Sequence, residues 1–552
     1  MKTALLASAA AATAAAAGPV HTPATLDESV PVALASPAAL EHRDLAEMLF
    51  AGLPAEQQAL IAASGAVGPV QHDAPLGVGI ARDRAALLAG LTVAEMEAEL
   101  NIELSQAHRD LLNRFKSQAD SGDAVPHLCL DPNTDPKLAD ALLLMVDAIT
   151  QGGELRYQAV DRWTFTATDG SVSIRNPITI TWSVVPDGTS ADGATSSLFS
   201  WLNGVYAGNG GQAEWELRFD QTFARWGFLS GITYIKVSDD GATVNSSNSG
   251  ALGVRGDVRI CAIPIDGNSG VLAYNYFPNH GDMFLDSGDS FYNNLNQSSR
   301  GLRNVLSHEH GHGMGLAHVE PVQQTKLMEP FVSSAFLGPQ FDDRLGAQRN
   351  YGDRYENNDN LATAADLGIA LVDGDNIRVR DVSTDDNSDI DYYEFSTTAT
   401  GDVTISLELT PGEYLMGPQG GTAVLTDYDS IHNLAMEIRD AGDSVVDSAN
   451  NAGLGFDEVA TFSLPAGTHY LRVFPSNSTN DIQLHDLRFE FTETSNPCPA
   501  DVNGDGVADN GDIGAFINLF LANDPAADFT GDGIIDNGDI GAFIPIFLAG
   551  CP

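Results

Sequence analysis

The chain has 552 residues, too many for one hydrophobic core, so several domains are expected. Its 75 acidic against 27 basic side chains leave a formal net charge of -48, which disfavours nucleic-acid binding and adhesion to anionic membranes. Four cysteines, Cys129, Cys261, Cys498 and Cys551, allow three disulfide pairings.

Met1-Lys2 followed by an alanine-rich run to Gly18 reads as a secretory signal peptide over 1–17, or else as a disordered alanine-rich tail. No later segment has enough unbroken apolar residues to span a bilayer. Residues 18–150 are rich in alanine and leucine and carry helical periodicity. Thr92-x-x-Glu95 is a capping-box signature, and Leu104, His108, Leu111, Leu112 and Phe115 fit one helix face. Near residue 160 the pattern changes. Trp163–Thr166 and Ile178–Trp182 alternate like strands, Ser197–Leu202 and Phe223–Gly227 suggest helix, and Val258–Ile263 reads as a further strand. Strands around early helices, followed by a helix near 301–313, predict an α+β domain over 155–350.

That last helix carries His308-Glu309-His310-Gly311-His312-Gly313-Met314-Gly315-Leu316-Ala317-His318. His308 and His312, four apart, share a helix face and can reach one metal, with Leu302, Val305 and Leu306 as the core-facing stripe before them. Glu309 stands beside the first ligand, where a carboxylate can take a proton from metal-bound water. Gly315 permits the turn that brings His318 back as a third ligand, leaving one position open as at a catalytic zinc. His310 falls off the ligand face and is expected to hold no metal.

This pattern is that of the metzincin metalloproteases, and residues 155–350 resemble the matrixin branch. The resemblance implies one catalytic Zn2+ on His308, His312 and His318, Glu309 as general base, and Met328 in a methionine turn beneath the metal. It implies peptide-bond hydrolysis, with substrate laid beside an edge strand of the sheet. Gly270–Pro278 and Gly281–Asp286 resemble the matrixin segments leading to the active-site helix. Where matrixins place histidines for a second, structural zinc, this chain has Tyr274 and Phe284, so that zinc is not expected. Asp282, Asp286 and Asp289 are candidates for calcium, or else solvated loop carboxylates. Glu329 stands where tyrosine is usual, which changes the wall of the substrate pocket. Residues 18–150 are then either a pro-region or an ordinary helical domain. Cys129 either bridges to Cys261 or blocks the zinc as a latency thiolate, in the manner of matrixin propeptides.

After residue 350 the chain becomes β-rich. Asp402–Leu409 alternates, and Ala460–Leu464, Pro465-Ala466-Gly467 and Thr468–Val473 read as strand, turn, strand, predicting an antiparallel β-sandwich over 352–494. Asp353–Asp359 and Asp389–Phe395 resemble bacterial pre-peptidase C-terminal domains. Residues 497–552 hold an internal repeat. Asp501, Asn503, Asp505, Asp509 and Asp512 recur as Asp528, Thr530, Asp532, Asp536 and Asp539. Oxygen ligands at loop positions 1, 3, 5, 9 and 12, with glycine at 6, make two EF-hand-type calcium loops, each binding one Ca2+. Each is followed by one predicted helix, and the pair resembles a dockerin, which implies a cohesin partner. A calcium-stabilised cap without a partner is the other reading. Cys498 and Cys551 bracket the repeat as a clasp.

The fold class expected is therefore multidomain: a metzincin-like α+β domain, an antiparallel β-sandwich and a small helical calcium-loop module. The expected function is a secreted, extracellular zinc metalloendopeptidase acting on protein or peptide substrates, with no nucleic acid and no membrane span. The alternative of a different class is a non-catalytic scaffold component of a calcium-dependent extracellular assembly.

Overall fold

The computed structural model describes residues 85–150, 161–244, 250–320, 322–410, 413–419, 423–477, 479, 481–494 and 498–550. The expected signal peptide, the pro-region up to residue 84 and Cys551 lie outside these. Among the described residues, no helix is long and apolar enough to cross a membrane.

The N-terminal part begins with α1 (Val93–Leu100). Thr92 accepts from the Glu95 amide while the Glu95 carboxylate accepts from the Thr92 amide at 2.8 Å, the reciprocal cap legible in the sequence. Helix α2 (Gln106–Ser121) buries His108, Leu111, Leu112 and Phe115 along one face; Leu104 is buried too but precedes the first turn. Helix α3 (Pro136–Ile149) starts on an Asp135 cap with proline in its first turn. Between α2 and α3, strand β1 (His127–Leu130) leaves the helices and joins the sheet of the next domain.

That domain contributes β2 (Ile178–Val184), α4 (Leu198–Val205), α5 (Gln212–Phe228), β3 (Ile232–Lys236), β4 (Val258–Ile263), β5 (Val271–Asn275), β6 (Met283–Asp286), α6 (Asn296–Gly313) and α7 (Phe341–Tyr351). The sheet order is β1-β5-β6-β4-β2-β3. Strands β3, β2, β4 and β6 run parallel, β5 is antiparallel to β6, and β1 is antiparallel to β5. At this end the domain's own edge strand is thus β5, and β1 covers it; β3 is the edge at the other end. Helix α6 enters through left-handed residues Gln297–Ser299 and is buried at every position from Leu302 to Gly313. It packs against α5, where the Trp226 indole donates to the Ser307 carbonyl at 3.2 Å. A helix buried on all sides holds its side chains in one arrangement, which a metal site needs.

The bridge weighed between Cys129 and Cys261 is corrected: both are buried free thiols. They lie on β1 and β4, with β5 and β6 between. Three strand spacings put them roughly 14 Å apart, against about 6 Å between the Cα atoms of a disulfide. Cys498 is disulfide-bonded.

The following domain is a β-sandwich. One sheet is ordered β7 (Ala365–Leu371), β9 (Asp391–Thr397), β16 (Gly467–Pro475), β13 (Leu434–Arg439), β14 (Val445–Ala449). The other is ordered β8 (Asn376–Thr384), β17 (Gln483–Glu493), β10 (Gly401–Leu409), β15 (Glu458–Leu464). The antiparallel expectation fails at one pair: β7 and β9 are parallel, because β8 crosses to the opposite sheet between them. A ribbon of β11 (Glu413–Pro418) and β12 (Val424–Asp427) projects from the sandwich, and β11 pairs with the two-residue strand Val319–Glu320. In the C-terminal module α8 (Asn510–Ala522) and α9 (Asn537–Ala549) follow the two loops and stack Phe516 on Phe543 at 4.3 Å.

Candidate metal centre

Helix α6 presents His308 and His312 one turn apart, and the chain then reverses at Gly315, whose φ is +101°. A side chain there would overlap the Asp161 carbonyl oxygen, so glycine is required by space as well as by conformation. The reversal returns His318, whose Nε2 lies 3.2 Å from the Nε2 atoms of both His308 and His312.

Each ring is fixed from behind. Nδ1 of His308 donates to the Leu327 carbonyl at 2.7 Å, Nδ1 of His312 to the Leu316 carbonyl at 2.7 Å, and Nδ1 of His318 to Gln419 Oε1 at 2.6 Å. With a proton on every Nδ1, each neutral Nε2 carries a lone pair, and the three lone pairs face one another. A cation between them relieves that arrangement. Three nitrogens held about 2.1 Å from a tetrahedral zinc stand roughly 3.4 Å apart, close to the spacing observed. Burial depresses the pKa of all three rings, that of His308 to about 4, which keeps them neutral and able to ligate. The residues present therefore fit zinc.

Glu309 is fully buried beside this trio, and neither carboxylate oxygen has a hydrogen-bond partner. Burial pushes its pKa well above the usual carboxylate range. An orphaned buried carboxylate next to converging ligands marks a place for a polar reactant. Met328 is fully buried under α6, and a side chain at Gly311 would overlap its sulfur. The same turn supplies the Leu327 carbonyl that orients His308. His310 lies on the far side of the helix, with Nε2 2.6 Å from the Tyr234 hydroxyl and its ring against Phe223.

Other expectations resolve differently. Tyr274 and Phe284 stack at 4.7 Å with Phe115 edge-on, an aromatic cluster where ligands would stand in a second zinc site. Asp282, Asp286 and Asp289 are neither solvated nor convergent; all three are buried. The Asp286 carboxylate accepts from the amides of Ile265, Asp266, Gly267 and Gly288, and Asp289 from those of Ser269 and Phe291. These carboxylates brace loops. Glu329 is also buried, and it accepts from four successive amides, Gln323 to Lys326, so it pins the loop before the turn. In the C-terminal module Asp501, Asp505 and Asp512 bring ligand oxygens within 4.8 Å of one another. Among the described residues Asp528, Asp532 and Asp539 form no such trio, although the second loop repeats the first in its amide bonds to Asp528. Asn503 and Thr530 donate their amides to Asp512 and Asp539, while Asp509 and Asp536 cap α8 and α9.

Two residues at the centre went unnoticed in the sequence. Gln419 comes from the sandwich ribbon, and its reach to His318 depends on the Val319–Pro418 pairing. His127 comes from β1, and a ring nitrogen lies within 4.8 Å of ligand nitrogens of His312 and His318. Neither has a local motif. A histidine two residues before Cys129 was the only available signal.

Residues 205–352 match the Matrixin family model. Metalloendoproteinase 4-MMP of Arabidopsis thaliana is 27% identical over 167 residues, 29% of this chain and 46% of that protein. Stromelysin-3 of Mus musculus is 36% identical over 96 residues, covering 16% and 18%. Interstitial collagenase of Equus caballus is 30% identical over 144 residues, covering 26% and 29%. The chain thus spans less than half the length of each of these relatives. The pre-peptidase C-terminal domain of a Bacillus anthracis collagenase aligns with 23% of this chain and 96% of that structure, at 13% identity and a TM-score of 0.16, which carries no argument.

Proposed function

We propose that this chain is a secreted zinc metalloendopeptidase of the matrixin type. The observation that carries the proposal is the convergence of three Nδ1-anchored imidazoles beside the orphaned Glu309 carboxylate. The matrixin match over 205–352 supports it. His308, His312 and His318 would hold the zinc, which when bound supplies a positive charge that polarises a scissile carbonyl and acidifies water. Glu309 takes the proton of the attacking water and delivers it to the leaving amine. Met328 and Leu327 hold the floor of the site and the His308 ring. Substrate lies extended along β5, the domain's own edge strand, pairing by backbone hydrogen bonds.

Residues 18–150 act as a pro-region, because β1 occupies that same edge. The C-terminal loops bind calcium through Asp501, Asn503, Asp505, Asp509 and Asp512, and through Asp528, Thr530, Asp532, Asp536 and Asp539, and form a dockerin-like module able to engage a cohesin-type partner.

The test is hydrolysis of casein and a fluorogenic peptide by the full chain after limited trypsin treatment, as apo protein and with zinc restored. Zinc-dependent cleavage that Glu309→Gln lowers by roughly 100-fold or more is expected. Full activity in Glu309→Gln with zinc bound would refute the assignment.

A further inference from the structure

We infer that His127 is a fourth metal ligand, delivered by the N-terminal region on a strand that occupies the sheet edge proposed for substrate. The inference rests on the zinc-peptidase proposal and deepens it.

Strand β1 is held on both sides. Against β5 it pairs antiparallel, His127 with Asn275, Leu128 with Tyr274, Cys129 with Ala273 and Leu130 with Val271. Just beyond, the Asp131 amide donates to the Gly270 carbonyl at 2.9 Å. On its other side the Leu130 amide donates to the Pro330 carbonyl at 3.1 Å, and the Val332 amide donates to the Leu130 carbonyl at 3.2 Å. A segment clamped between the sheet edge and the chain just after the methionine turn leaves no room for another strand. Its helices are docked by a hydrogen bond between His108 Nε2 and the Asp266 carboxylate at 2.7 Å and by an ion pair of Arg114 with Asp192 at 3.0 Å.

Strand alternation points His127 and Cys129 to the same face, toward the centre, so either is a candidate for the open position. Geometry separates them. The His127 ring centroid lies 5.1 Å from that of His312 and 5.6 Å from that of His318. The three ligand rings stand 4.7 to 5.2 Å from one another, so His127 continues their spacing. Among the described residues its ring nitrogens make no hydrogen bond, which leaves a lone pair to donate. The Cys129 sulfur groups instead with His308 and the Glu309 carboxylate. The thiol thus stands at the base and the imidazole at the metal. The device departs from the cysteine latch that the sequence resemblance suggested.

The experiment loads the full chain with cobalt(II) in place of zinc and adds acetohydroxamate, a small chelating probe. The wild type and Cys129→Ser should give the same nitrogen-type d–d spectrum, with no thiolate charge-transfer band and no response to the probe. His127→Ala and His127→Asn should both keep cobalt, and their spectra should shift when acetohydroxamate enters the vacated position. A charge-transfer band in the wild type that vanishes in Cys129→Ser would overturn the inference in favour of the thiol. Spectra indifferent to both His127 variants would overturn it too, leaving the zinc reading intact. If cobalt binds no better to the wild type than to His308→Ala, the zinc reading falls and this one with it.

Discussion

Of the three acceptors that orient the ligand histidines, two are backbone carbonyls and one, Gln419 Oε1, is a side chain and so can be removed by mutation. Gln419→Leu would leave the backbone in place, because Val319 pairs with Pro418 and the Gln419 amide still donates to the His318 carbonyl at 3.2 Å. What is lost is the acceptor at His318 Nδ1, 2.6 Å away. His318 is only 2% exposed, so its Nδ1–H would be left without solvent compensation, at a cost of about 1–3 kcal/mol. The ring can escape that cost by moving its proton to Nε2, the atom the metal needs. Loss of such outer partners weakens metal binding roughly 10- to 100-fold, or about 1.4 to 2.7 kcal/mol. Zinc affinity measured against a competing chelator should fall by that factor in Gln419→Leu and recover in Gln419→Glu, where a carboxylate accepts the same bond. An affinity within about twofold of the wild type in the leucine variant would refute the reasoning and reduce the ribbon contact to packing.

Further outcomes follow from local geometry. Gly315→Ala forces a Cβ into the Asp161 carbonyl at φ +101°, and chemical denaturation should show a loss of about 2 kcal/mol or more; unchanged stability would mean the turn is not constrained. Asp501→Ala removes a carboxylate that accepts the amides of Gly504, Asp505 and Gly506, and calorimetry should show one fewer calcium bound per chain. In the sandwich, Glu356, Asp385 and Asp389 gather within 4.8 Å. Burial, then mutual repulsion, raises Asp385 to about 8; burial foremost raises Asp389 to about 7. Such carboxyls keep protons in the folded chain that the unfolded chain releases above its ordinary pKa near 4. The stability they contribute is present at low pH and is lost as pH rises toward 7–8. Asp385→Asn should therefore gain in melting temperature over the wild type near pH 8, in chelator, and gain less near pH 5. An equal difference at both pH values would contradict the raised pKa values.

Wherever a feature depends on neighbours along the chain, the amino-acid sequence by itself determined it. The i, i+4 histidines of one helix face, the glycine that turns the chain back, the Thr92–Glu95 cap and the twice-repeated aspartate loops are of this kind, because helical period and turn conformation are local properties. Period-two alternation likewise announced strands in the sandwich, though not the parallel pairing of β7 with β9, since partner choice is non-local. The tertiary structure alone decided what crosses between domains. Gln419 reaches His318 across 101 residues because a ribbon of the sandwich pairs with Val319–Glu320. His127, on a strand lent by the N-terminal helices, faces the centre because β1 pairs with β5, whose outer backbone donors and acceptors would otherwise be unpaired. Asp286 and Glu329, written as candidate ligand or pocket wall, became braces for loops, because a buried carboxylate takes whatever amides the fold brings within reach.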